Sequence, residues 1–177
     1  MRIGTLGRLH PVKGYDVLIE ALARLKSHPV PHEVIIGGDG AGRDALEAAA
    51  RAAGLGNVRL ACYVGNPREF LANLHVYVQP SRSEGFCVAA HEAMQAGLPV
   101  VASAVGEMPN SIVEGQTVWT VPPGNADALA EALAAALTHP DRLAPMGLTA
   151  RARVLDRYVP DSFEAIGRSI VKRMERF

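Results

Sequence analysis

An α/β fold, with a parallel sheet of about six strands and helices on both faces, is predicted by three observations. Short apolar runs alternate along the chain with longer stretches of helical periodicity. Alanine and glycine abound while aromatic residues are few (5%), a composition that suits close packing of helices on a sheet. The 177 residues contain no internal repeat, low-complexity tract or long linker, so residues 1–177 read as one three-layer domain.

The elements follow in order. Arg2 to Leu6 reads as a first strand. Tyr15 to Lys26 is an amphipathic helix with Val17, Leu18, Leu22 and Leu25 on one face. Glu33 to Gly37 is a second strand, and Ala41 to Ala53 an alanine-rich helix stopped by Gly54. Asn57 to Tyr63 gives a third strand, Pro67 to Asn73 a short helix, and His75 to Gln79 a fourth strand ended by Pro80. A helix over Phe86 to Gln95 is closed by Gly97 and Pro99, and a buried fifth strand covers Pro99 to Ala102. Met108 to Val113 reads as a short helix and Gln116 to Val121 as a sixth strand. Asn125 is an N-cap for a helix over Ala126 to Thr138, and two further helices cover residues 141–158 and 161–176.

Charge and composition exclude several functions. The 18 basic and 18 acidic side chains balance, against nucleic-acid binding or a strongly basic membrane surface. No apolar run approaches the ~20 residues that cross a bilayer, and the N-terminus lacks a signal-peptide layout. Cys62 and Cys87 have no metal-ligand spacing, and no metal is expected. The expected setting is reduced and cytoplasmic, with peripheral contact at the inner face of a membrane left open.

Segments of chemical interest follow the first, second and fourth strands, and in a parallel sheet all three project from one edge. In the glycine-bounded loop Gly7 to Gly14, Arg8 offers a planar fork of donors and Lys13 a compact charge, a pair suited to a diphosphate; the alternative is a solvated cation pair beside a turn, and the bounding glycines and the position after a strand favour the diphosphate. Gly85, Phe86, Cys87 and Val88 open the helix after the fourth strand. Unpaired amides at a helix start cradle anions, although any strand-to-helix turn shares this feature. Glu84 lies just before that helix and Glu92 within it. Glu84 is expected at the mouth of the site, near a bound sugar. Glu92, among Ala89, Ala90, Ala93 and Met94, is expected to accept hydrogen bonds from a ribose diol rather than to face solvent alone. The first turn lacks the G-x-G-x-x-G fingerprint of dinucleotide binders, and Gly38-Asp-Gly40 reads as a tight turn. His91 is expected to point away from Glu92's partners; no Ser-His-Asp arrangement emerges, and Cys87 reads as a size choice rather than a nucleophile.

GRLHPVKGYDVLIEALARL, IIGGDGAGRDALEAAA, VYVQPSRSEGFCVAAHEAMQAGLPVVAS and VEGQTVWTVPPGNADALAEAL, in this order, closely resemble the C-terminal half of retaining glycosyltransferases of family 4. The most specific element is the Glu-x7-Glu pair. The resemblance implies the GT-B architecture, in which two Rossmann-like domains flank a cleft and the C-terminal one holds a nucleotide diphosphate sugar. It implies that Arg8 and Lys13 grip the diphosphate, that Glu84 lies near the donor sugar and Glu92 on the ribose, and that the backbone of Gly85, Phe86 and Cys87 faces sugar and phosphate. By the same resemblance, Tyr63 and Val64 place main chain beside the base. Cys87, Glu107 and Val118 depart from glycines common in the family, which bears on donor choice more than on fold.

The expected activity is hexosyl transfer with retention of configuration. Arg8, Lys13 and the helix start stabilise the leaving diphosphate in place of a metal, and Glu84 positions the sugar without a covalent role. Because the first strand starts almost at Met1, a separated donor domain is expected, its acceptor site supplied by an N-terminal domain. The alternative is a nucleotide-sugar-binding module that transfers nothing without a partner domain. A sugar epimerase of the same architecture and a nicotinamide dehydrogenase fit the motifs less well.

Overall fold

In the computed structural model, which describes residues 1–112 and 118–158, the strands are β1 (Arg2–Leu6), β2 (Glu33–Gly37), β3 (Val58–Ala61), β4 (Val76–Gln79), β5 (Val100–Ser103) and β6 (Val118–Val121). They form one sheet in the order β3-β2-β1-β4-β5-β6, each neighbouring pair parallel. The chain builds outward from β1 to β3, then crosses back to place β4 on the other side of β1. The order reverses between β1 and β4, and a crevice opens there at the carboxyl ends of the strands. The loops after β1 and β4 flank it.

The helices are α1 (Tyr15–Arg24), α2 (Arg43–Ala52), α3 (Pro67–Ala72), α4 (Val88–Gln95), α5 (Met108–Ser111), α6 (Ala126–Thr138) and α7 (Pro140–Tyr158). Period-two alternation divides the strand side chains between two cores. Ile3, Val34, Ile36, Val76, Val78 and Val101 pack with α1, α2 and α6 on one face. Tyr77, Val100 and Ala102 pack with α3, α4, α5 and α7 on the other. This is the three-layer, Rossmann-like arrangement expected. Asn125 caps α6 through Ala128 N (3.0 Å), and Gly54 turns the chain out of α2 at φ 66°.

Several boundaries differ from expectation. β3 is shorter because β2 offers it four partners, from Val34–Val58 to Gly37–Ala61, so Cys62 and Tyr63 run past the sheet. α4 begins at Val88, two residues later than periodicity suggests, because Cys87 sits at φ 62° and cannot belong to a right-handed helix. The helix expected over residues 161–176 and the start of the strand expected from Gln116 lie outside the described residues. No helix among the described residues is long and apolar enough to cross a membrane.

Gly14 brings the two crevice loops together. It lies at φ 66°, and a Cβ there would stand 2.0 Å from the Pro80 carbonyl oxygen. Left-handed backbone costs a side chain about 1–2 kcal/mol, and displacing the β4 loop adds to it. Gly14→Ala is therefore expected to lose about 2–3 kcal/mol of stability, read as a lower denaturant midpoint at unchanged slope.

Candidate functional site

At the switch point, a short 3-10 turn, Pro11–Lys13, carries the first loop across the end of the sheet. Arg82 fixes it from the β4 side. Its guanidinium grips both oxygens of Asp16 (2.7 and 2.6 Å) and donates to Pro11 O (2.9 Å), while its amide donates to Val12 O (2.8 Å). The Arg82 hydrogen bonds hold the Asp16 carboxyl below its ordinary range. Lys13 is thereby presented to Glu84, and Lys13 Nζ lies 2.6 Å from Glu84 Oε1.

Glu84 Oε1 is the focus of a larger network. It also accepts from Ser81 Oγ (2.8 Å) and Gln79 Nε2 (3.0 Å). The Tyr77 hydroxyl donates to Gln79 Oε1 (3.1 Å), which fixes the amide so that its NH2 faces Ser81 and Glu84. Tyr77 and Ser81 are fully buried and Gln79 nearly so. One oxygen of Glu84 is thus committed to the protein. Sequence reasoning missed these three supports; the only signal was a glutamine ending an otherwise apolar strand.

The Glu84 loop is closed from the other side by the loop after β5. Gly106, at φ 57°, allows that loop to approach so closely that a Cβ would lie 2.2 Å from Gly85 O, and Glu107 N donates to Gly85 O (2.9 Å). The resulting cavity, about 350 Å³, is lined by Gly7, Arg8, Lys13, Gln79, Glu84, Phe86, Cys87, Val88 and Glu92, together with Leu6 and Ala89. Arg8 is exposed, and among the described residues its guanidinium has no hydrogen-bond or ion-pair partner. Val88 and Ala89 open α4 toward the cavity, where the first amides of the helix lack internal acceptors. Glu92 stands on the exposed side of α4 and borders the same cavity. Two cations, a helix start and two carboxylates therefore share a concave surface suited to an anionic ligand with a polar extension.

One expectation is corrected. The amides of residues 85–87 are not a first helical turn, since α4 starts after them. Cys87 is a core residue. The side chain is 4% exposed and turned into the core, with Sγ donating to Val105 O (3.8 Å). Burial, then the Glu84 charge, push that thiol up to about 11, which keeps it protonated and poorly nucleophilic at neutral pH. Tyr63 and Val64 do not line the cavity. Tyr63 is 81% exposed where the chain leaves β3, and Val64 packs beside Phe70 in the second core. His91 does meet a serine: its Nε2 lies 2.7 Å from Ser111 Oγ, a contact across elements that no sequence spacing announces.

Cations, a held carboxylate and a helix start meet at the switch point of a parallel sheet in a Rossmann-like α/β protein, where such folds carry their ligand sites. The particular family follows from comparison with known proteins: the chain belongs to the glycosyl transferases group 1 family, whose sequence pattern matches residues 2–153. It is 38% identical over 157 residues to a D-inositol 3-phosphate glycosyltransferase of Kribbella flavida, covering 82% of this chain and 37% of that one. It is 32% identical over 164 residues to a GDP-mannose-dependent alpha-(1-6)-phosphatidylinositol monomannoside mannosyltransferase of Mycolicibacterium smegmatis, covering 86% and 43%. The chain therefore spans about two-fifths of the length of these relatives. Among solved structures, sucrose-phosphate synthase of Thermosynechococcus elongatus superposes with a TM-score of 0.87 at 26% identity, over 99% of this chain and 45% of that one. The C-terminal domain of a group 1 glycosyl transferase of Francisella tularensis superposes with a TM-score of 0.79 at 26% identity, over 89% and 85%.

Proposed function

We propose that this chain is the donor-binding, C-terminal domain of a retaining glycosyltransferase of family 4, and that its cavity holds a nucleotide diphosphate sugar. The observation that carries the reading is the meeting of Arg8, Lys13, Glu84 and the start of α4 in one cavity between the ends of β1 and β4. The match to a structure described as a C-terminal domain supports the position assigned. Anabaena HepE, of like fold (TM-score 0.86, 23% identity), was solved with UDP, and the mycolicibacterial relative is named for GDP-mannose, so both bases are candidates.

In this reading Arg8 and Lys13 neutralise the diphosphate, and the amides at the start of α4 receive its remaining oxygens. As the bond to the sugar breaks, negative charge grows on the leaving diphosphate, and these groups are already in place to stabilise it without a metal ion. The uncommitted oxygen of Glu84 faces the sugar and offsets positive charge at its ring. Glu92 takes the ribose hydroxyls. Because the chain spans two-fifths of its relatives, we assign the acceptor site to a second domain, and this chain by itself to binding without transfer.

Calorimetry of the chain with UDP, GDP and their sugars tests the reading. One nucleoside diphosphate is expected to bind, and to stabilise the fold by about 2.7 kcal/mol at a hundred times its Kd. Absence of binding to every nucleoside diphosphate and nucleotide sugar tried would overturn it, and sugar transfer by this chain alone would overturn the two-domain assignment.

A further inference from the structure

A polar chain with no part in the mechanism above runs from the Glu84–Cys87 loop to the end of α7. His91, nearly buried on α4, places Nδ1 3.0 Å from Cys87 O and Nε2 2.7 Å from Ser111 Oγ. Ser111, fully buried at the end of α5, lies 2.9 Å from the Tyr158 hydroxyl. Tyr158 ends α7 and donates to Glu107 Oε1 (2.9 Å), which Arg157 Nη2 also reaches (3.1 Å). Asn110, then Tyr158 and Arg157, hold the Glu107 carboxyl below its ordinary range, so its acceptor end is charged at neutral pH. The Phe86 ring, in the cavity wall, stacks on His91 (centroids 4.2 Å, 18° between planes) and meets Tyr158 edge-on (5.0 Å, 83°).

Chemistry sets the direction of the bond to Cys87. A carbonyl only accepts, so His91 carries a proton on Nδ1 and donates it to Cys87 O. Cys87 is the non-glycine residue at positive φ among the described residues, and no side chain caps α4 there. A strained conformation persists only where its surroundings over-determine it. Two side-chain anchors, the thiol on Val105 O and the imidazole on Cys87 O, act here beside the amides of Ala90 and His91, which also donate to Cys87 O (3.0 and 3.1 Å).

We infer that His91 is a positioning residue for the donor site: it clamps the Cys87 carbonyl and the Phe86 ring so that the start of α4 opens into the cavity, and Ser111, Tyr158 and Glu107 hold the imidazole in place from α5 and α7. The end of α7 is thereby coupled to the loop that faces the ligand.

Asparagine and glutamine separate the two ring nitrogens. Nδ2 of asparagine hangs from Cγ, as Nδ1 of histidine does, and keeps the donor for Cys87 O. Glutamine reaches Ser111 and loses the Cys87 contact. NMR of the chain reads Cys87 φ through its HN–Hα coupling and Cα shift, and calorimetry reads UDP and GDP binding. With His91→Asn, positive φ is retained and affinity stays within about threefold of the parent, whereas His91→Gln loses positive φ and weakens binding at least tenfold. Should His91→Gln fail to fold, Ser111→Ala, which frees the ring at one end only, is expected to give an averaged coupling and about threefold weaker binding. Equal effects of the asparagine and glutamine variants, or a Cys87 conformation untouched in all of them, would overturn the inference. The binding arm rests on the donor-site reading; if the parent binds neither nucleotide, that reading fails while the coupling constants still decide the role of His91.

Discussion

Replacing Lys13 by alanine is expected to weaken nucleoside diphosphate binding by roughly two to three orders of magnitude, and replacing Arg8 by roughly 30- to 150-fold, about 2–3 kcal/mol. The two cations differ in what they do before a ligand arrives. Arg8 is exposed and uncommitted among the described residues, so its loss removes a phosphate contact and little else. Lys13 is already paired with Glu84, both side chains mostly shielded from water (21% and 13% exposed). Its loss removes a phosphate contact and also leaves an uncompensated carboxylate beside the arriving anion. Lys13→Ala should therefore lower thermal stability as well as affinity, while Arg8→Ala should leave the melting temperature within experimental scatter. Calorimetry and thermal melts on the same preparations check both. Two variants that bind like the parent would remove the phosphate assignment altogether.

The fold was legible because its signals are local. Strand and helix periods, Gly54 and Asn125 each act within a few residues, and the structure agrees to within a residue or two at most boundaries. The meeting of Arg8, Lys13, Glu84 and Glu92 was legible for a topological reason, since parallel strands send their following loops to one edge. Illegible were the interactions that depend on register and side-chain reach. Ser81 reaches Glu84 directly, and Gln79 serves it because Tyr77, two positions earlier on the same strand, orients the amide. His91, Ser111 and Tyr158 meet across three helices from positions 20 and 47 residues apart. The late start of α4 was missed because propensity treats cysteine as a weak helix former and carries no information on the contacts that hold Cys87 left-handed. Tyr63 and Val64 were named from family likeness, for main chain that the structure places just beyond the end of β3.

Glu84 offers the sharper test, because the proposal assigns it opposite effects on two ligands. In the free protein its Oε1 accepts from Lys13, Ser81 and Gln79 at 2.6, 2.8 and 3.0 Å. A diphosphate must share the Lys13 ammonium with that carboxylate. Glu84→Gln keeps a carbonyl oxygen for the two neutral donors and removes the negative charge, so Lys13 becomes fully available. Bare UDP or GDP, whichever the parent prefers, should then bind roughly 3- to 10-fold tighter, a gain of about 0.7–1.4 kcal/mol. The corresponding nucleotide sugar should lose whatever advantage it holds over the bare nucleotide, since the oxygen facing the sugar has lost its charge. Glu84→Ala is a different perturbation. It strands an ammonium, an amide and a hydroxyl in a half-dry pocket, and about 3 kcal/mol of folding stability should go with it. Urea melts distinguish the two variants, and paired calorimetric titrations with nucleotide and nucleotide sugar read the rest. A Glu84→Gln protein that binds the bare nucleotide more weakly than the parent would show that the carboxylate helps to hold phosphate rather than competing with it for Lys13, and the placement of Glu84 beside the sugar would have to be abandoned.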